Sequence, residues 1–162
     1  MGTRSTIALE YADGTVEQVY CHWDGYLAHN GQLLLNYYSN PFILRDLIDM
    51  GDISSLGKIV GTKHPFSPHE GDTQKALYEA AQAQGATTFY GRDRGETGVD
   101  QRMFKSFEDY VENHQYEEYE YILRKDGNWY VKCHSADYVL LADALAEDLR
   151  EKAEAEEEAL DA

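Results

Sequence analysis

Hydrophobic and polar positions alternate at two periods along this chain, and the changes of period mark its elements. Residues 4–11 are rich in β-formers, and Asp13-Gly14 separates them from the alternating run Val16 to Tyr20. An Asp-Gly pair between two such runs predicts a β-hairpin. In the second run Val16, Gln18 and Tyr20 share one face, and Glu17, Val19 and Cys21 share the other. The signature returns at Tyr119–Leu123 and Asn128–Lys132, which flank Lys125-Asp126-Gly127. One further short strand is predicted over Thr87–Tyr90.

The helical period fills most of the space between. Asn30–Tyr38 reads as a short helix with Asn30 as its cap. Asn40-Pro41 starts a second, since proline suits the first helical position. Phe42, Leu44, Leu47 and Ile48 are its expected inner face, and Gly51 ends it. Thr73–Gln84 follows, with Leu77, Ala80 and Ala81 inward and Gly85 as its stop. Ser106 caps a helix to about Asn113, with Asp109 three residues on, where a Glu would complete a capping box. Residues 137–150 place Val139, Leu140, Ala142, Leu145 and Leu149 near one face. Asp52–Gly57 reads as a capped turn, 61–72 as a Pro- and Gly-bearing loop, and 91–98 as a polar loop. The order predicts an α+β fold: an antiparallel sheet of about five strands, two Asp-Gly hairpins plus one strand, with helices packed on one face. Residues 1–150 form a single domain, and 151–162 an acidic C-terminal tail, helical or frayed.

Length and composition agree with one domain. The chain has 162 residues, 43% of them hydrophobic, with 13 Tyr, 5 Phe and 2 Trp, enough to build a core and exclude wholesale disorder. Its longest apolar runs are too short for a membrane span, and the opening MGTRSTIALEY lacks the apolar stretch of a secretory signal. Gly2 and Thr6 satisfy a myristoylation spacing, but the strand predicted there argues against it. Cys21 and Cys133 form no CxxC pair and are expected as reduced thiols in a cytoplasmic protein. Charge changes the picture most. The net charge is −16, split as net −4 over residues 1–107 and net −12 over residues 108–162. The last third thus makes a field that repels nucleic acid and attracts basic surfaces, unless it serves solubility alone.

Four places carry candidate chemistry. His22 and Asp24, two apart at a strand end, suit a general base with its orienting carboxylate, or a metal pair; a Trp-Tyr packing corner with an Asx turn is the plainer account. Arg92, Asp93, Arg94 and Glu96 form a Gly-punctuated loop whose arginines suit a phosphate or carboxylate, or else an internal ion-pair network pinning a turn. His64 and His69 sit at the edge of zinc-site spacing, without a second ligand pair, so neither metal nor cofactor is expected. His114 and His134 are singletons, expected at the surface or half-buried and not as ligands. Finally, Tyr116, Tyr119 and Tyr121 alternate with Glu117, Glu118 and Glu120. Together with Glu154, Glu156, Glu157 and Glu158 they form the expected partner-binding surface, unless they are merely an edge strand guarded by charge.

Thr3-Arg4-Ser5-Thr6-Ile7, Tyr20–Tyr26 (YCHWDGY), Gly51–Gly57 (GDISSLG) and Phe89–Glu96 (FYGRDRGE) together resemble a family of small phage- and prophage-encoded proteins with CHWDGY and YGRDRGE-like blocks and no assigned activity. The resemblance covers residues 3 to about 132 and leaves out the acidic tail. It implies no catalytic residue. It does imply a phage setting in a host cell's cytoplasm, where proteins that disarm host defences are common, and charge adds an analogy with nucleic-acid mimics. The expected function is therefore an acidic binding protein that engages a basic host protein surface, such as that of a nucleic-acid-binding protein. No direct contact with nucleic acid or membrane is expected, and no oligomeric state is implied. The alternatives are an enzyme acting on a phosphate-containing small molecule or nucleic acid through His22, Asp24, Arg92, Asp93, Arg94 and Glu96, and a phage structural or assembly component.

Overall fold

The computed structural model describes residues 2–134 and 136–161. Its centre is the predicted first hairpin, β1 (Ser5–Glu10) and β2 (Val16–Cys21), paired antiparallel in the register Ser5 opposite Cys21. A π-helical turn (Leu27–Gly31), α1 (Gln32–Tyr37) and α2 (Pro41–Asp49) carry the chain to β3 (Ile53–Ser55). Then come α3 (Asp72–Gln84), β4 (Thr88–Phe89), a one-turn α4 (Tyr90–Arg94), β5 (Arg102–Phe104) and α5 (Phe107–Asn113). The second hairpin, β6 (Tyr119–Leu123) and β7 (Trp129–Cys133), leads to β8 (Val139–Leu140) and the long α6 (Leu141–Asp161).

The sheet corrects the expected five antiparallel strands. It has eight, in the order β4-β3-β2-β1-β6-β7-β8, with β5 on the first half of the β2 edge. It is mixed: β1 runs parallel to β6, and β2 parallel to β3. A parallel neighbour needs a long crossover, which residues 22–52 supply for β3. That crossover also explains why Ile53–Ser55 is a strand where a turn was expected: the β2 edge offers it hydrogen bonds. Likewise Val139 and Leu140 join the sheet edge beside Tyr130 and Val131 instead of starting the last helix.

Helices cover both faces, not one. On one face Ile7, Leu9, Val19, Cys21, Tyr121 and Val131 pack against Leu34, Leu44, Leu47 and Ile48, and against Leu141 and Leu145 of α6. On the other, Ala8, Val16 and Ile122 pack against Phe104 and Tyr110, so α5 lies there. Phe42 is 77% exposed. It stands two residues before Leu44, and residues two apart do not share a helix face. Leu77 is half-exposed and only Ala81 of α3 is buried, because that helix lies at the margin of the sheet. The caps follow expectation at Asn40, whose side chain accepts from Phe42 N, and at Gly85, in the left-handed region. Asp109 closes a variant of the box: Ser106 Oγ accepts from its N–H, and its carboxylate accepts from Lys105 N, one residue before the cap. No helix among the described residues is long and apolar enough to cross a membrane.

A buried carboxylate ties the two hairpins together. Glu10 Oε1 accepts from Arg124 Nε at 2.9 Å and from Lys125 N at 3.0 Å. Burial pushes its pKa up, but the Arg124 and Lys125 hydrogen bonds and charges outweigh this and leave it below the ordinary Glu value. A depressed carboxylate stabilises the fold above its unfolded pKa, and that contribution is lost as pH falls through the folded value. Glu10→Gln is therefore expected to cost about 1.5–3 kcal/mol at neutral pH, with the gap to the parent closing below about pH 4. Urea unfolding at both pH values checks this; a gap independent of pH counts against it.

Candidate functional site

The four motif blocks come together around β3. Cys21 pairs with Ile53, and Ile53 with Phe89, so the CHWDGY and FYGRDRGE blocks are two strand spacings apart, about 10 Å. His22 N and Trp23 N donate to the carbonyls of Ile53 and Ser54 at 3.0 Å, and Tyr90 N to that of Asp52. Gly25 closes the corner: its N–H donates to Thr3 O, its carbonyl accepts from the Tyr121 hydroxyl at 2.6 Å, and a side chain on it would strike Ser5 and the Thr3 carbonyl.

Nearness of the backbones does not gather the six candidate side chains into one pocket. His22 turns to Tyr20, with Nδ1 2.7 Å from the phenol oxygen, and meets Trp23 edge-on. Asp24 adopts a positive φ of 56°, which breaks the extended geometry that would hold it beside His22. It lines a separate recess with His29 and Lys58. Cys21 beside His22 is fully buried, and burial pushes its thiol up to about 11, so it is no nucleophile.

Arg92 is spent internally. Nε donates to Asp93 Oδ1, Nη1 to the carbonyls of Val60 and Gly61, and Nη2 to Thr87 O and Asp93 Oδ2, at 2.9–3.2 Å. A guanidinium has five N–H donors, and all five are used. Asp93 also accepts from Phe89 N and His64 N. The pair therefore fastens loop 60–64 to β4, which is the internal network named above as the alternative to phosphate binding. Arg94 is outward, paired with Glu96 at 3.3 Å and stacked over Phe66 and Tyr90. His64 is buried with both ring nitrogens engaged: Nδ1 faces Thr62 O and Nε2 faces Thr88 Oγ1, each at 3.0 Å. That leaves it no lone pair for a metal shared with His69.

The partner-binding candidates divide. Tyr116 and Glu118 are exposed, Glu117 and Tyr119 partly so, and Glu154, Glu156, Glu157 and Glu158 fully so on α6. Glu120 and Tyr121 are not surface residues, and this corrects the expectation. β6 lies in mid-sheet between β1 and β7, so both of its edges are paired, and the helices packed on the sheet cover its two faces. Glu120 is 1% exposed. It bonds His114 Nε2 and accepts from the Tyr138 hydroxyl at 3.2 Å, while His114 Nδ1 donates to Tyr110 O. Tyr110 stacks on the imidazole with ring centres 4.5 Å apart. This His-Glu-Tyr cluster pins α5 to the sheet. The alternation of Tyr and Glu hid it, because a strand covered on both faces was read as an edge.

Comparison with protein-family models, with curated proteins and with solved structures finds no match.

Two pairs of variants separate the structural from the surface roles. Arg92→Ala strips a buried carboxylate and three carbonyls of their donor and is expected to cost about 3–5 kcal/mol; the exposed Arg94→Ala is expected to cost less than about 1 kcal/mol. Equal thermal shifts would overturn the pinning role. Glu120→Lys buries an unpaired cation beside His114 and is expected to abolish cooperative unfolding, while Glu118→Lys leaves the melting curve near the parent's.

Proposed function

We propose that this chain is a non-enzymatic binding protein that meets a basic protein surface with its acidic last third. One observation carries the reading: from Leu149 to Asp161 every residue of α6 is exposed. These residues hold six carboxylates and two cations. Leu141 and Leu145, with Ala144 between them, anchor the helix. A helix of 21 residues is about 30 Å long, and more than half of this one buries nothing. The same surface continues onto β6. Asp148, Lys152 and Glu118 lie close enough to act on the Tyr119 phenol, whose pKa burial raises, and Tyr116 is exposed on the α5 side beside Lys132. Aromatic rings among carboxylates suit a basic, partly apolar partner such as a nucleic-acid-binding protein. In the phage setting that the motif blocks imply, a host defence protein fits this description. The enzyme reading loses its support at Arg92, which has no donor left for a substrate.

The test is capture from a bacterial lysate, identification of the captured protein, and measurement of its association with purified parent and variants. Affinity is expected to drop steeply as salt rises from about 0.05 M to about 0.3 M, where screening shortens to well under 10 Å. Reversal of Glu154, Glu156, Glu157 and Glu158 to Lys is expected to slow association more than it speeds dissociation, without lowering the melting temperature. Truncation after Leu149 should act in the same direction. Unchanged association in both variants would leave the acidic arm as a solubility device and sink the proposal.

A further inference from the structure

At the end of the sheet where the two Asp-Gly hairpins turn lies a cleft of about 290 Å³, remote in character from the acidic arm. That volume sits near the lower bound of about 300 Å³ for sites that enclose small organic ligands. Its floor is Leu9 and Leu123, both buried, and Tyr11 and Pro41 flank it. Phe42 stands at its mouth, the most exposed aromatic side chain of the described residues, at the second position of α2.

The rim is cationic although the chain carries net −16. Arg45, Arg124 and Lys125 line the cleft against one carboxylate, Glu10. Glu10 is already occupied by Arg124 Nε and by the Lys125 backbone N–H. Arg124 is answered as well, since its guanidinium stacks 3.6 Å over the Phe107 ring on the α5 side of the sheet, whereas the ammonium of Lys125 makes no hydrogen bond among the described residues. Arg45 makes only a 4.0 Å contact with Asp49 and lies over the Tyr11 ring. A neutral apolar ligand would leave these cations unanswered. A free phosphate would leave the apolar floor wet. Both halves are satisfied by a molecule with an apolar body and a single anionic head, the head turned to the loosely paired Arg45 and to Lys125.

We propose that this cleft binds a small amphipathic carboxylate, its apolar part on Leu9, Leu123 and Phe42 and its carboxylate toward Arg45 and Lys125. The site is independent of the acidic arm. The probe is octanoate, titrated into isotope-labelled full-length protein, with octanol and octylammonium as controls. Saturable shifts are expected at the amides of Tyr11, Phe42, Lys125 and Gly127 with octanoate and not with either control. The double variant Arg45→Gln/Lys125→Gln removes exposed cations and keeps the Glu10–Arg124 pair, so it should fold. It is expected to bind about tenfold more weakly. Phe42→Ala should also weaken binding, and Lys75→Gln on α3 should not. No saturable shift with octanoate, equal binding of octanol, or full affinity in the double variant would each overturn the proposal. A short peptide ending in a free Leu carboxylate is the remaining arm: tighter binding of it than of octanoate would assign the cleft to a partner's C-terminus and overturn the small-molecule assignment.

Discussion

A backbone N–H inside a folded chain must find an acceptor, and the one at Tyr20 organises this molecule. The edge of β2 is shared by two short strands. β5 pairs with Val16–Gln18 and β3 joins at Cys21, so the N–H between them faces a gap. Asp52 fills it: Oδ1 accepts from Tyr20 N at 2.9 Å, and Arg102 of β5 grips both carboxylate oxygens at 3.3 Å. The backbone of the same residue receives Tyr90 N and donates to Val99 O. One aspartate thus joins β2, β3, β5 and the start of α4. Gly51 precedes it with a φ of 82° and a Cβ position only 2.4 Å from the Val99 carbonyl. No side chain fits there without moving that strand connection.

Local chemistry was readable where it acts over a few residues. Both Asp-Gly hairpins, the Asn40 and Ser106 caps and the left-handed Gly85 stop follow from residue type alone, because each satisfies orphan backbone groups next to it in sequence. The parallel pairings were not readable. β1 meets β6 more than a hundred residues away, and nothing in either run records its partner. The misreading of burial on β6 descends from that. Glu120 and Tyr121 were assigned to a surface because β6 looked like one arm of an isolated hairpin. His114 looked solitary because its partner is fixed only once α5 folds over that strand. The acidic arm was legible, since a run of carboxylates with no apolar period has nowhere to be but in water.

The motif blocks concentrate polar and charged residues, yet their side chains mostly serve the backbone. The side chains of Asp52, Arg92 and Asp93 all bond neighbouring main chain. Short strands at a sheet margin leave many peptide groups unpaired, and buried carboxylates and guanidinium groups are the side chains able to answer several at once. A dense constellation of Arg, Asp and His is then a mark of difficult architecture. The groups left with spare capacity lie elsewhere: on the arm, and around the cleft between the hairpin turns.

The long terminal helix carries its charge against its own macrodipole. Its first turn has one acidic residue and its last turn no basic one, while Glu156, Glu157, Glu158 and Asp161 crowd the end where the unpaired carbonyls already concentrate negative potential. Such an end is destabilised by a few tenths to about 1 kcal/mol per charge at low ionic strength, and only Arg150 and Lys152, pairing with Glu147 and Asp148, offset it. The arm is therefore electrostatically frustrated in isolation. Any cation brought against its tip relieves the repulsion between carboxylates and the clash with the dipole together, so counter-charge and helix formation there reinforce each other.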